Sequence, residues 1–307
     1  MFDLKIPFNQ SALDCIKGDL TRVLPHIKSS HRCEAIGRGL GFGTYAAALA
    51  TSAMDRPTTV TVRGAPFTFY LETHGFETSP TPFYRAAAKA VLSDIAARNP
   101  KLTMWGIGVG RPQQKPDGKF ENAREKYVRF LDARQELVSD GASEGFLLSL
   151  ALLARITPTK AVRRGTGSYW VKHIAENFAC SYPGGEKLGP RYVSNGVLIA
   201  AAIHAGFRTK SYIDDYGYDD LNVNFNMSRP FLEDLDCEVR PKGPWTCPAL
   251  VERHCLISRR RFRTAPGFDS RVRSVASQGC RSRLCSGQWP ARRPVWFGSG
   301  FARPARI

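Results

Sequence analysis

Lys160, Arg163 and Arg164 stand just before Gly165-Thr166-Gly167-Ser168, and Lys172 follows about one helical turn later. Glycines in a turn expose backbone N–H groups. A helix starting at Ser168 adds the partial positive charge of its dipole, and the flanking cations complete a cradle for phosphate, whether of a nucleotide or of a nucleic-acid backbone. The spacing is not G-x-x-x-x-G-K-[ST], so the standard phosphate-binding loop is excluded. A glycine turn with a Thr or Ser helix cap is the plainer reading of the same residues. Lys160, Arg163, Arg164, Gly165, Thr166, Gly167, Ser168 and Lys172 are the candidate anion site.

Other constellations are weaker. Gly106-Ile107-Gly108-Val109-Gly110 follows an expected strand, but Arg111-Pro112-Gln113-Gln114 cannot open the helix that a dinucleotide fingerprint needs. His173 and Glu176 share a helix face and, with His204, have the residue types of a metal site. Without an H-E-x-x-H pattern, though, a surface pair is the simpler expectation. The acidic loop Asp214–Asp220 centres on Gly217 and could hold a divalent cation or work as acid and base; acidic turns are more often structural. Asn222, Asn224 and Asn226 alternate along the next strand and could line a polar pocket or an exposed face. Ser168 lies in G-T-G-S-Y rather than G-x-S-x-G, and Cys180 has no assignable base, so no nucleophile signature is present. No metal site and no cofactor are expected.

These residues need elements to hold them. Helices are expected over about 10–24, from Ser29 or Ser30 to Leu40, from Thr44, over a short stretch from Pro66 to Gly75, from Thr81 to Asn99, from Asn122 to Val138, after Ser143, over 168–178 and over 192–205. Strands are expected at 58–63, 102–109, 207–212 and 221–227, where Leu221, Val223, Phe225 and Met227 face one way and the three asparagines the other. Gly110–Lys119 reads as a linker. The class is α+β, mostly helical with a small sheet: an N-terminal part over 1–110, a second α+β part over 120–246, and a basic tail over 247–307 that is expected to be disordered.

The charge is unevenly placed. The 307 residues carry a formal net charge of +17, but Val251–Ile307 holds thirteen arginines, no lysine and two acids, Glu252 and Asp269, so eleven of the seventeen positive charges belong to the tail. Strong basicity is therefore a property of the tail and not of the folded part. Two readings of the tail stand side by side. It is an arginine-rich arm with Trp289, Trp296 and Phe297 free to stack on bases, or it is GC-rich DNA translated out of frame from near residue 245 to 250. Cysteines are scattered, as suits reduced thiols, and Cys247, Cys255, Cys280 and Cys285 lack zinc spacing. No stretch has the basic start and apolar run of a secretory leader, and the longest apolar runs are about a dozen residues against the roughly 20 that a membrane helix needs. A cytoplasmic protein with no membrane partner is expected.

SSHRCEAIGRGLGFGTYAAALA resembles a helical hairpin found near the start of many proteobacterial proteins. Ser30, His31, Glu34, Leu40, Gly41, Phe42, Thr44 and Tyr45 carry the likeness. The stretch from RRGTGSYWVKHIAENF through YVSNGVLIAAAIHAGFRTKSY to NVNFNMS is similar to an uncharacterised family met on plasmids and integrative elements. Together they span about residues 29–228. The resemblance implies a bacterial, mobile-element setting and no activity. The expected function is an accessory protein that contacts nucleic acid, or another phosphate-bearing ligand, through Lys160–Lys172. The alternatives are an enzyme acting on a nucleotide or phosphorylated substrate, and a protein-interaction module. Arg32 and Arg38 are the only basic residues of the 29–53 hairpin, too few for a DNA-reading helix-turn-helix.

Overall fold

Short polar side chains cap four of the ten described helices, Asn9, Thr44, Asn122 and Ser194, in the structure, a computed structural model that describes residues 2–54 and 58–241. Asn9 accepts from the Ala12 N–H (2.9 Å) and opens α1 (Gln10–Val23), after the strand β1 (Lys5–Phe8). Next come α2 (Ser29–Gly39) and α3 (Tyr45–Ser52), with Thr44 as the cap of α3. The chain continues through β2 (Thr58–Thr61), α4 (Gly64–Glu72), α5 (Thr81–Arg98), β3 (Leu102–Thr103) and β4 (Gly106–Ile107). Asn122 and Glu125 cap α6 (Ala123–Leu137) reciprocally, at 3.0 and 2.9 Å, so two backbone donors are satisfied at once. Then follow α7 (Asp140–Leu153), α8 (Ser168–Asn177), α9 (Asn195–His204), β5 (Thr209–Ile213), β6 (Asp219–Phe225) and α10 (Arg229–Val239).

The core is helical. In α5, Ala86, Ala87, Ala88 and Ala90 are buried among larger residues, so α1, α7 and α9 all pack closely against it. α7 is buried nearly all round from Ala142 to Leu153, as its continuous apolar sequence requires. Because α5 precedes the 110–119 linker while α7 and α9 follow it, the two halves of the described chain share one hydrophobic cluster. The strands form three antiparallel pairs: β1 with β2, β3 with β4, and β5 with β6. The mostly helical α+β class is what the residues build. The expected tail over 247–307 lies outside the described residues. No helix among the described residues is long and apolar enough to cross a membrane.

Two local expectations are corrected. Leu102–Val109 is not one strand but the hairpin β3–β4. Gly106 takes φ +133°, and a Cβ there would lie 1.9 Å from the Leu221 carbonyl oxygen, so only glycine lets the hairpin abut β6. α7 starts at Asp140 rather than after Ser143. Asp140 belongs to its first turn and accepts from both Arg22 and Lys89, which ties the helix start to α1 and α5. Two elements were not foreseen. Phe2, Leu4, Ile6 and Phe8 alternate into the core and make β1, a periodicity legible in the sequence. The other is α10, signalled by Ser228 ahead of Pro230, with Leu232 and Leu235 inward.

The hairpin at 29–53 is built by turn chemistry. Gly41 (φ +87°) follows the end of α2; its N–H donates to the Arg38 carbonyl (3.0 Å) and that of Phe42 to the Gly37 carbonyl (2.9 Å). This is the double cap of a left-handed helix end. The Glu34 carboxylate accepts from the Tyr45 N–H (3.2 Å) and holds the start of α3. Arg32 is buried and donates to the Leu24 and Ile27 carbonyls, capping the end of α1. Only Arg38 faces solvent, so the hairpin offers no basic face.

Candidate functional site

The loop after Thr157 is not a free cradle; it runs along β6 as an additional edge. Arg163 N–H donates to the Phe225 carbonyl (3.2 Å), Phe225 N–H to the Thr166 carbonyl (3.1 Å), and Gly167 bridges Asn224. Thr166 is fully buried, its hydroxyl 2.7 Å from the Phe225 carbonyl oxygen and 2.8 Å from that of Arg163. Ser168, also fully buried, accepts from the Val223 N–H (3.2 Å). Lys172 is buried on α8. Its ammonium sits 2.9 Å from the Glu176 carboxylate and about 5 Å from the rings of Tyr169 and Tyr192.

The predicted set is therefore divided by its surroundings. Thr166, Gly167, Ser168 and Lys172 spend their polar groups or their packing on β6 and Glu176. Lys160, Arg163, Arg164 and Gly165 remain exposed. Gly165 takes φ +82°, and the space where its side chain would be is bordered by the guanidinium of Arg229, 3.2 Å from the Cβ position.

Strand pairing brings further cations to the same end of the sheet. β5 flanks β6 on the side away from the loop, with Thr209 opposite Phe225 and Lys210 opposite Asn224. A row Lys210–Asn224–Gly167 therefore crosses the sheet, spanning about 10 Å at the usual strand spacing. One buried side chain locks the arrangement. Asn226, 3% exposed, accepts from the Arg208 N–H (2.7 Å) and donates to the Thr159 carbonyl (2.8 Å). Its backbone also receives Thr159 N–H (2.7 Å) and donates to the Arg208 carbonyl (3.2 Å). The starts of both basic segments thus hang on one asparagine.

The open end of the hairpin gathers Lys160, Arg163, Arg164, Arg208, Lys210 and Arg229. Arg229 pairs with Glu233 at 3.0 Å; the other five form no ion pair among the described residues. Lys210 lies 5.5 Å from the ring of Tyr212, whose hydroxyl accepts from Asn224 (3.2 Å). Arg208, Lys210 and Arg229 were missed from sequence because they lie some 40 to 65 residues beyond the loop. The only local signal was the i, i+2 placement of Arg208 and Lys210 beside an asparagine-faced strand.

The other expected constellations do not assemble. His173 Nδ1 meets Glu176 at 2.7 Å, but His204 packs edge-on against Phe146 at the end of α9. Burial, with Arg98 nearby, pushes the His204 pKa down. No group of three metal-ligating side chains occurs among the described residues. Asp214 closes its own turn, accepting from the Tyr216 and Tyr218 N–H groups (2.9 Å each) and from Arg111 Nε (2.7 Å). The Arg111 guanidinium holds the Asp214 carboxyl below its ordinary pKa, with the two backbone donors adding to the effect. Lys101 donates to both oxygens of Asp219, at 2.9 and 3.0 Å. Asp220 caps the Asn222 N–H (2.9 Å), and Asn222 accepts from Asn195 (3.3 Å). Asp214, Asp219 and Asp220 are thus engaged, Asp215 is exposed, and the cleft lined by Gly217, Tyr218 and Asp219 contains neither the asparagine row nor the 165–168 loop.

The chain matches no known family model, no curated protein and no solved structure.

Proposed function

We propose that this chain is a non-enzymatic accessory protein that binds nucleic acid, in the mobile-element setting its sequence resemblance implies. The contact surface is the open end of the β5–β6 hairpin. A single observation carries the reading: β6 collects Lys160, Arg163 and Arg164 on one side and Arg208 and Lys210 on the other, and none of the five forms an ion pair among the described residues. Five unneutralised cations on a small surface repel one another, and a polyanion relieves that repulsion while releasing its counterions. The neighbouring polar groups, Asn224 and the Tyr212 hydroxyl, are of the types that bond to phosphate and sugar.

The test is binding of the full chain to duplex and single-stranded DNA over a range of salt, comparing the wild type with Arg163→Ala/Arg164→Ala/Lys210→Ala. Each phosphate contact removed lowers the slope of log K against log salt by about 0.9 on duplex DNA, so the triple variant should lose roughly 2 to 3 units. Unchanged affinity together with an unchanged slope would discard this surface as the binding face.

A further inference from the structure

At the opposite end of the hairpin, the turn at 217–219 faces α6 and the backbone of 108–110 across a cleft of about 390 Å3. That volume lies within the roughly 300–1,000 Å3 typical of small-molecule sites. The lining side chains are Lys101, Lys126, Tyr127, Phe130, Tyr218 and Asp219, beside Val109 and Ala123. Tyr127 and Phe130 stack at 6.3 Å and 24°, and Tyr127 is 60% exposed, so one aromatic face is open to a ligand. The Lys126 ammonium sits 4.1 Å from the ring of Tyr218 and has no carboxylate within ion-pair distance among the described residues. Lys101 is occupied by Asp219. Two ammonium groups against one carboxylate leave net positive charge beside an open aromatic face.

We infer that this cleft binds a nucleotide, its base stacked on Tyr127 and its phosphate held by Lys126. Stacking needs only a planar ring and tolerates any base, and Lys126 supplies an ammonium that forms no ion pair among the described residues. The site shares no residue with the cationic end of the hairpin, and its test is independent of that surface. A free nucleotide and the base of a bound strand present the same chemistry, so both are used as probes.

The full chain is titrated with adenosine monophosphate, adenosine, inorganic phosphate and a short oligoadenylate, following the backbone amides of Gly108, Gly110 and Tyr127 by NMR. The monophosphate should shift these amides saturably. Adenosine and phosphate alone, each supplying one half of the contact, should bind about tenfold or more weaker. Tyr127→Ala, at an exposed side chain, and Lys126→Gln, at a half-buried one, should each weaken the monophosphate about five- to tenfold. A free-nucleotide site gives tighter binding of the monophosphate than of the oligoadenylate per base, and a strand-reading site gives the reverse. Absence of shifts at millimolar monophosphate overturns the inference. So does phosphate binding as tightly as the monophosphate, or an affinity that neither substitution changes.

Discussion

The turn end and the open end of the β5–β6 hairpin lie on the same two strands but are charged in different ways. At the turn, Asp214 is met by Arg111 and Asp219 by Lys101, and the guanidinium of Arg111 also lies 3.8 Å from the ring of Tyr216. At the open end, Arg163, Arg164, Arg208 and Lys210 have no such partners among the described residues. Neutralised charges hold a turn in shape; unneutralised ones are retained at a cost in self-repulsion, which a polyanionic partner would remove. Lys172 sharpens the contrast inside the loop itself. It is as cationic as Arg164, but its burial against Glu176 makes it part of the scaffold.

The most severe way to break the comparison is to remove the asparagine that assembles the open end. Asn226→Leu leaves the Arg208 N–H and the Thr159 carbonyl without that side chain's part-buried bonds, and should cost about 1–3 kcal/mol in urea unfolding. A loss below about 0.5 kcal/mol would show that the two basic segments are held by other contacts. Of similar size is Lys172→Met. Breaking a largely buried pair should cost about 1–3 kcal/mol, while the salt dependence of DNA binding stays as in the wild type. A fall in the salt slope for this variant would return Lys172 to the contact surface.

Arg163→Ala/Arg164→Ala should do the opposite. Stability stays within about 0.5 kcal/mol and the slope falls by roughly 2. The smallest effect belongs to the turn. A carboxylate whose folded pKa is depressed contributes stability above its unfolded pKa and loses it as pH falls through the folded value. For Asp214 that window lies below the ordinary 3.8. Arg111→Ala should move the Asp214 carboxyl up toward 3.8 in an NMR titration, and the two backbone donors that remain should hold it short of that value. DNA affinity should not respond; if it did, the separation between the two ends would fail.

Much of the framework was legible in the chain. The helix over 10–23 after Asn9, the capping box at Asn122 and Glu125, and the glycine turn at Gly41 follow from short-range rules, because a cap or a turn involves atoms only a few residues apart. The alternation at 221–227 was equally clear and put Val223, Phe225 and Met227 inward. The candidate site was legible only in part. Lys160, Arg163 and Arg164 stand out as a basic run, but the sequence could not show that Thr166 and Ser168 bond to β6, because their partners are more than fifty residues away. Nor could it show that Lys172 meets Glu176 and not solvent, since the same i, i+4 spacing occurs on exposed helix faces.

The chain by itself determined the element types, their caps, the inward face of β6 and the concentration of arginine beyond residue 250. Those are consequences of periodicity, backbone stereochemistry and composition, which act locally or by simple count. Tertiary structure alone decided which polar groups are already used and which are left over. Pairing of 163–167 with β6, and of β6 with β5, joined Lys160, Arg163 and Arg164 to Arg208, Lys210 and Arg229, and took Thr166, Ser168 and Lys172 out of solvent. Charge type is written in the sequence, but its neutralisation depends on what lies within a few ångströms, and only folding sets that distance.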